Sequence, residues 1–302
     1  MDTRSLRLFV LASDLLNISA AGRQLGMAPA VASSTLAKLE RTVGADLLHR
    51  STRKVALSSE GEDFLPFARE IIAQEEAAFA AMGKGARQVS GTLRFAAPST
   101  FAQIYIAPIL CDFLEAHPGL TLDLRLSDAQ FDLIEGSFDL ALRNAPLADS
   151  NLRARKLAED SRILCASPAY LEKFGTPETP PDLNDHRLIA FRNQGQRPLA
   201  GPDGIAGSFS PHSARSGLIV DDGLTLKRAT LTGAGISLNS LWSVHAELAA
   251  GELVRVLPDF EGAEDHMLWL VYPKTNVLSP KVRVLMDFLI ERLGRHPPWI
   301  AA

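Results

Sequence analysis

Residues 18–61 read ISAAGRQLGMAPAVASSTLAKLERTVGADLLHRSTRKVALSSEG, and the order of helix, turn and strand signals in this stretch decides the fold. Asn17 or Ser19 can cap a helix through Ala20, Ala21 and Leu25, and Gly26, free to take a left-handed conformation, ends it. Pro29 then suits the first position of a new helix, where its missing N–H is not needed. In that helix Ala32, Leu36, Leu39 and Val43 recur at steps of four, three and four, so they form one apolar stripe. The opposite face carries Ala30, Ser33, Ser34, Ala37, Lys38 and Arg41, small or polar groups that fit a DNA major groove. Upstream, Leu6, Phe9, Val10 and Leu11 mark a further helix from Ser5 to Asp14. Downstream, Leu47–His49 and Val55–Leu57 read as short strands joined by the basic turn Arg50–Lys54. Two helices around a tight turn, followed by a hairpin, make a winged helix-turn-helix.

Charge agrees with this division. Residues 1–58 hold eight cations (Arg4, Arg7, Arg23, Lys38, Arg41, Arg50, Arg53, Lys54) against four acids (Asp2, Asp14, Glu40, Asp46), a balance of +4 in a chain of net charge -4. The remaining 244 residues therefore sum to -8. A basic segment on an acidic body suits a nucleic-acid-binding head. Cys111 and Cys165 are too few for a disulfide framework and lack metal-ligand spacing, so neither a metal nor a cofactor is expected. No G-x-S-x-G, G-x-x-x-x-G-K or H-E-x-x-H occurs. With no export signal in MDTRSLRLFVLASD and no apolar run approaching 18 residues, the expectation is a cytoplasmic protein that does not enter a membrane.

The head resembles the N-terminal signature of LysR-type transcriptional regulators. The resemblance is carried by Ala20–Ala21, Leu25, Pro29, Ser33, Leu36, Leu39–Glu40, Gly44, Leu47–Leu48, Arg50, Arg53, Val55, Leu57 and Gly61. It implies binding to double-stranded DNA through Pro29, Ala30, Ser33, Ser34, Ala37 and Lys38 on the recognition helix, with Arg50 and Arg53 on the wing. Ala28 stands where the family often has a capping Ser, and Ser34 where a long cation is frequent.

A helix is expected to open at Ser59, with Ser58 as an alternative cap, and to run to about Met82. Its stripe of Phe64, Ala68, Ile71, Ala78 and Met82, interrupted by Glu75, needs a cover, for which a partner helix from a second chain is the natural candidate. In the family this helix makes the dimer contact, so the resemblance implies a homodimer, or a homotetramer built from two dimers. Pro66 lies near its start.

After Gly91 strands alternate with helices, which predicts an α/β body with parallel sheets. The body is similar to the periplasmic-binding-protein-like effector domain of the same regulators, with a motif like LCASPAYL at 164–171. The resulting division is residues 1–58 for the head, 59–90 for the linker helix and 91–302 for the effector domain. The latter splits into subdomain 1 (about 91–161 and 266–302) and subdomain 2 (about 162–265). Ligands bind past the carboxyl ends of parallel strands, so Ser99, Thr100, Asp128, Arg143, Phe191, Asn193 and Asp221 are the candidate effector residues. Ser99 and Thr100 open a helix just after a strand, which suits a small-molecule effector with a carboxylate, or a polar aromatic one. Two other classes stay open on sequence: a cytoplasmic small-molecule sensor, or an α/β enzyme, neither reading DNA sequence. The resemblance weakens from Gln194 to Ser216, a stretch rich in Gly, Pro and Ser.

Overall fold

Asp2 begins the first helix by accepting the Ser5 N–H at 2.8 Å. In the computed structural model, α1 (Thr3–Leu15), α2 (Ile18–Gln24) and α3 (Pro29–Val43) are followed by β1 (Leu48–Arg50), β2 (Val55–Leu57) and α4 (Ser59–Ala81). The structure describes residues 1–50, 55–81, 89–126, 128, 138–144, 152–192, 195–212, 217–263, 267–274 and 278–300. Two units divide the chain, Met1–Val89 with Pro273–Arg283, and Ser90–Tyr272 with Val284–Ala302.

In the first unit Asn17 caps α2 by accepting the Ala20 N–H at 2.9 Å. Gly26 takes φ +66° in the turn to α3, the left-handed conformation a glycine adopts without a steric penalty. A side chain at Gly22 would place its Cβ 2.6 Å from that of Ala32, so α2 and α3 approach closely only because 22 is glycine. Leu6, Leu8, Phe9, Ala12, Ala21, Ala32, Leu36, Leu39, Leu47 and Leu48 form the core. β1 and β2 pair antiparallel, with Arg50 opposite Val55.

Ser58, the alternative, is the cap of α4: its hydroxyl accepts the Gly61 N–H at 2.9 Å. The helix runs unbroken past Pro66. Along its apolar stripe, Ala68 is buried in the core of the head beside Leu65, and Phe64, Ile71 and neighbouring Ile72 are partly buried against that core. Ala78 is exposed, and Met82 lies outside the described residues. Glu75, the interruption in the stripe, accepts from the Thr3 hydroxyl at 2.7 Å and from Arg7 at 3.0 Å. Arg69 pairs with Asp14 at 2.9 Å. Apolar contact and two polar ties thus bind α4 to α1.

In the second unit β3 (Gly91–Ala97) leads into α5 (Ser99–Phe101), a π turn (Ala102–Ile106), a 3-10 turn (Ala107–Ile109) and α6 (Leu110–Ala116). Then come β4 (Leu120–Leu126), β5 (Leu140–Arg143), β6 (Leu152–Glu159), β7 (Arg162–Ala166), α7 (Pro168–Phe174) and β8 (Ile189–Phe191). β9 (Arg197–Gly201), β10 (Gly204–Phe209), β11 (Leu218–Val220), α8 (Gly223–Leu231), β12 (Ser237–Ser240) and α9 (Leu241–Ala249) follow. The chain ends with β13 (Val254–Val256), β14 (Glu261–Gly262), β15 (Met267–Pro273), α10 (Pro280–Leu289) and a second π turn (Ile290–Gly294).

One sheet has the order β4-β3-β5-β15-β6, with β3 parallel to β4 and β5. β15 runs antiparallel to β5, because it brings the chain back from the other strand set. That other set comprises β12-β7-β13, paired antiparallel, the parallel pair β11-β8, and β10-β9-β14. The expectation of parallel sheets therefore holds for the βαβ segments and fails for β7, β12, β13 and β15. The hairpin β9–β10 occupies the stretch where the resemblance weakens, turning at Pro202–Asp203 before Gly204 at φ +104°.

The tie at Glu75 has a pH signature. The Thr3 hydroxyl, then Arg7, hold its carboxyl below the ordinary 4.5, against the opposing effect of burial. A depressed folded pKa contributes stability above the unfolded value, which is lost as pH falls through the folded one. Glu75→Gln should cost about 0.5–1 kcal/mol at pH 7, and urea unfolding should find the deficit shrinking below about pH 4.5. A deficit constant down to pH 3.5 would contradict the tie.

Candidate nucleic-acid interface and effector site

The stripe of α3 turns inward, with Ala32, Leu36 and Leu39 buried, which leaves Pro29, Ala30, Ser33, Ser34 and Lys38 exposed and Ala37 half-buried. Ala28 makes no side-chain cap, and Pro29 occupies the first turn. The Ser34 hydroxyl donates to the Val31 carbonyl at 3.0 Å, so its proton is used within the helix. Ser33 has no side-chain partner among the described residues. Arg50 ends β1 at the wing turn, its side chain outside the described residues, as is Arg53 altogether.

Helix and wing are joined by Glu40. Its buried carboxylate accepts the N–H groups of Leu47 and Leu48 at 3.1 and 3.2 Å. The recognition face and the hairpin are thereby held in one geometry.

In the second unit three of the seven candidate effector residues meet. Asp128 accepts the Ser99 N–H at 2.7 Å and the Ser99 hydroxyl at 2.8 Å, and Thr100 is buried beside them. The fourth member of this group is Asp222, 2.9 Å from the Ser99 hydroxyl. It caps α8 by accepting the Thr225 N–H and hydroxyl, both at 2.7 Å. Burial is the largest single effect and pushes its carboxyl up, but these hydrogen bonds together hold it below the usual range.

Asp221, the residue expected from sequence, instead faces solvent and pairs with exposed Arg192 at 3.4 Å. Phe191 is half-buried and packs against Ile189, Val220 and Leu226, a core role rather than a cleft one. Arg143 ends β5 opposite Trp269. Its neighbour Asn144 makes the contact between strand sets, donating to Asp160 at 3.0 Å and Ser240 at 3.2 Å. The Asp160 side chain is fully buried, and burial pushes its carboxyl up, against the pull of Arg162 and these hydrogen bonds. Asn193 lies outside the described residues.

A cavity of about 600 Å³ opens elsewhere, among Asp160, Ala200, Arg255, Glu261 and Met267, and no candidate effector residue lines it. Its guanidinium, Arg255, is already paired with Glu261 at 2.7 Å.

Residues 3–62 match the bacterial regulatory helix-turn-helix of the lysR family, and residues 86–294 match the LysR substrate binding domain. The chain belongs to the LysR family. It is 33% identical to the HTH-type transcriptional regulator DmlR of Escherichia coli K12, over 97% of this chain and 95% of that protein. With CrgA of Neisseria meningitidis serogroup C it shares 31% identity over 98% of both. The solved structure of CrgA, a LysR-type transcriptional regulator, agrees with a TM-score of 0.62 at 30% identity, covering 98% of this chain and 100% of that one. For full-length AphB of Vibrio cholerae, a virulence activator, the TM-score is 0.58 at 25% identity, over 97% and 100% of the two chains.

The protein is thus a LysR-type transcriptional regulator with a helix-turn-helix and an effector-binding domain; its partners are DNA and a small molecule. The relatives are named as regulators, which sets aside the enzyme and sensor alternatives. Among the described residues no helix is long and apolar enough to cross a membrane.

Adjacent carboxylates with different surroundings should respond differently to truncation. Asp222→Ala removes the cap of α8 and should cost about 1 kcal/mol; Asp221→Ala should stay within about 0.5 kcal/mol. Denaturant unfolding of both variants checks the assignment, and equal losses would refute it.

Proposed function

We propose that this regulator binds DNA in the cytoplasm as a homodimer, with α3 of each subunit in the major groove and the wing on the backbone, and that a small molecule entering beside Ser99 and Thr100 alters that binding. The division proposed is a head over 1–58, a linker and dimer helix over 59–90, and an effector domain over 91–302. The observation that carries the reading is the outward face of α3, free of apolar cover and flanked by the hairpin. Since Phe64, Ala68 and Ile71 are used by the head itself, the dimer contact is assigned to exposed Phe67 and Phe79 with Ala78 on α4.

Base reading by this face rests on hydroxyls and alanines. Serines accept several base edges and alanines touch thymine methyls, so discrimination per base pair falls at the low end of about 1–3 kcal/mol. Affinity then depends on phosphate contacts, with Arg53 as the clamp and Arg50 and Lys54 assisting.

Arg53→Ala should weaken binding to specific and random duplexes alike and reduce the salt slope by roughly one unit. Ser33→Ala should lower only the preference for the specific site. Fluorescence anisotropy with the upstream region of the protein's own gene and a scrambled duplex, over several salt concentrations, separates the two effects. Unchanged affinity and slope for Arg53→Ala on both duplexes would overturn the clamp.

A further inference from the structure

Two helix N-termini from different strand sets meet at one carboxylate. Ser99 opens the continuous helical run 99–116 after β3, and Gly223 opens the nine-residue α8. N–H groups at such ends carry partial positive charge, lack partners within their own helix, and collect anions. Here the anion is supplied by the chain. Asp128, two residues past β4, takes the Ser99 N–H on Oδ1 at 2.7 Å. Its Oδ2 takes the Ser99 hydroxyl at 2.8 Å and the Gly223 N–H at 2.9 Å. Three donors suit an ionised carboxylate, which has about four acceptor positions.

A second observation concerns Thr100. Its hydroxyl is buried and has no hydrogen-bond partner among the described residues. It is aimed at the same point: a Cβ on Gly223 would lie 2.8 Å from Thr100 Oγ1 and 3.9 Å from Asp128 Oδ2. Glycine at 223 is therefore what allows α8 to come close enough for its N–H to reach Asp128. One polar group is left over for an anion with more acceptor oxygens than Asp128 offers.

Asp222 adds a constraint. It stands 2.9 Å from the Ser99 hydroxyl, whose single proton serves one carboxylate at a time, and neither acid has a cationic partner among the described residues. A third carboxylate beside these two would meet their repulsion, and the Ser99 and Gly223 N–H groups are already taken by Asp128. With Asp128 withdrawn, the same place offers two backbone N–H groups and two hydroxyls.

We infer that Asp128 is an internal ligand: its carboxylate fills an anion site built jointly by the helix ends at Ser99 and Gly223, clasps the two subdomains, and yields that site to a small carboxylate only by exchange. The regulatory consequence, that a carboxylate effector signals by displacing Asp128, rests on the effector reading above; the clasp itself does not.

Hydrogen–deuterium exchange on the full-length protein, followed by mass spectrometry, tests this directly. In the wild type the segments containing Ser99 and Gly223 should both be protected, and sodium acetate should act no differently from sodium chloride of equal ionic strength, because a tethered carboxylate outcompetes a free one. In Asp128→Ala both segments should exchange about tenfold faster or more, together, and acetate, not chloride, should restore both saturably. Acceleration at Ser99 alone, or no response to acetate, overturns the inference. If Asp128→Ala does not fold, Asp128→Asn decides: it keeps an acceptor but loses the charge, so both segments should loosen together, and loosening of one or neither overturns the clasp. An effector that binds elsewhere would leave these results intact, whereas uncoupled exchange would refute the clasp even if an effector enters the cleft.

Discussion

The main chain at Leu47 ties the recognition helix and the wing to the start of the linker helix. Its N–H donates to Glu40 at the end of α3, and its carbonyl accepts the Ser58 N–H at 3.1 Å. The carbonyl oxygen lies only 2.0 Å from where a Cβ on Gly61 would sit. Any side chain at 61 would drive α4 off the wing, and loss of the Glu40 carboxylate would leave two buried N–H groups unpaired, at about 1–3 kcal/mol each. Recognition helix, wing and linker helix are therefore one body. With Glu75 and Arg69 extending the attachment along α1, a displacement of α4 is passed to the recognition face without slack.

The effector-binding unit is held together differently. Its strand sets keep separate apolar clusters, such as Ala96, Phe138, Ala141 and Val271 in one and Leu164, Tyr170, Phe209 and Leu238 in the other. Between them lie polar contacts, namely the Asp128 clasp, the Asn144–Asp160–Ser240 group and the Tyr105 hydroxyl donating to the Trp242 carbonyl at 2.6 Å. An aromatic contact joins them as well, with Phe101 5.1 Å from Trp242 edge to face. Hydrogen bonds can be exchanged for bonds to a ligand at little net cost, whereas separating the aromatic rings would expose apolar surface to water.

Much of the head was legible because helix periodicity and capping are local. The stripe of Ala32, Leu36 and Leu39 fixes which face of α3 is outward, and Gly26 and Pro29 mark the turn. Periodicity identifies a face of the linker helix that must be covered without saying what covers it; α1 of the same chain supplies part of that cover. In the effector unit, Asp128 and Ser99 stand out by their position after strands; Asp222, next to Asp221, caps α8 and reaches Ser99, and Asn144, next to Arg143, contacts Asp160 and Ser240. At a strand end neighbouring side chains point to opposite sides, so an error of one residue reverses which of them meets the cleft. The β9–β10 hairpin had a signal, Pro202–Asp203–Gly204, of the kind that sets a tight turn between strands. The contact of Asp128 with Gly223 has no local signal, since 95 residues separate them.

The central claim is that this chain reads DNA as a symmetric regulator through α3. Selection of duplexes bound by the full-length protein from a random-sequence pool, followed by sequencing, tests it most directly. The account predicts an enriched motif with approximate two-fold symmetry, half-sites about one helical turn apart, and shallow preference at each position. An unenriched pool, or a motif without symmetry, would contradict it.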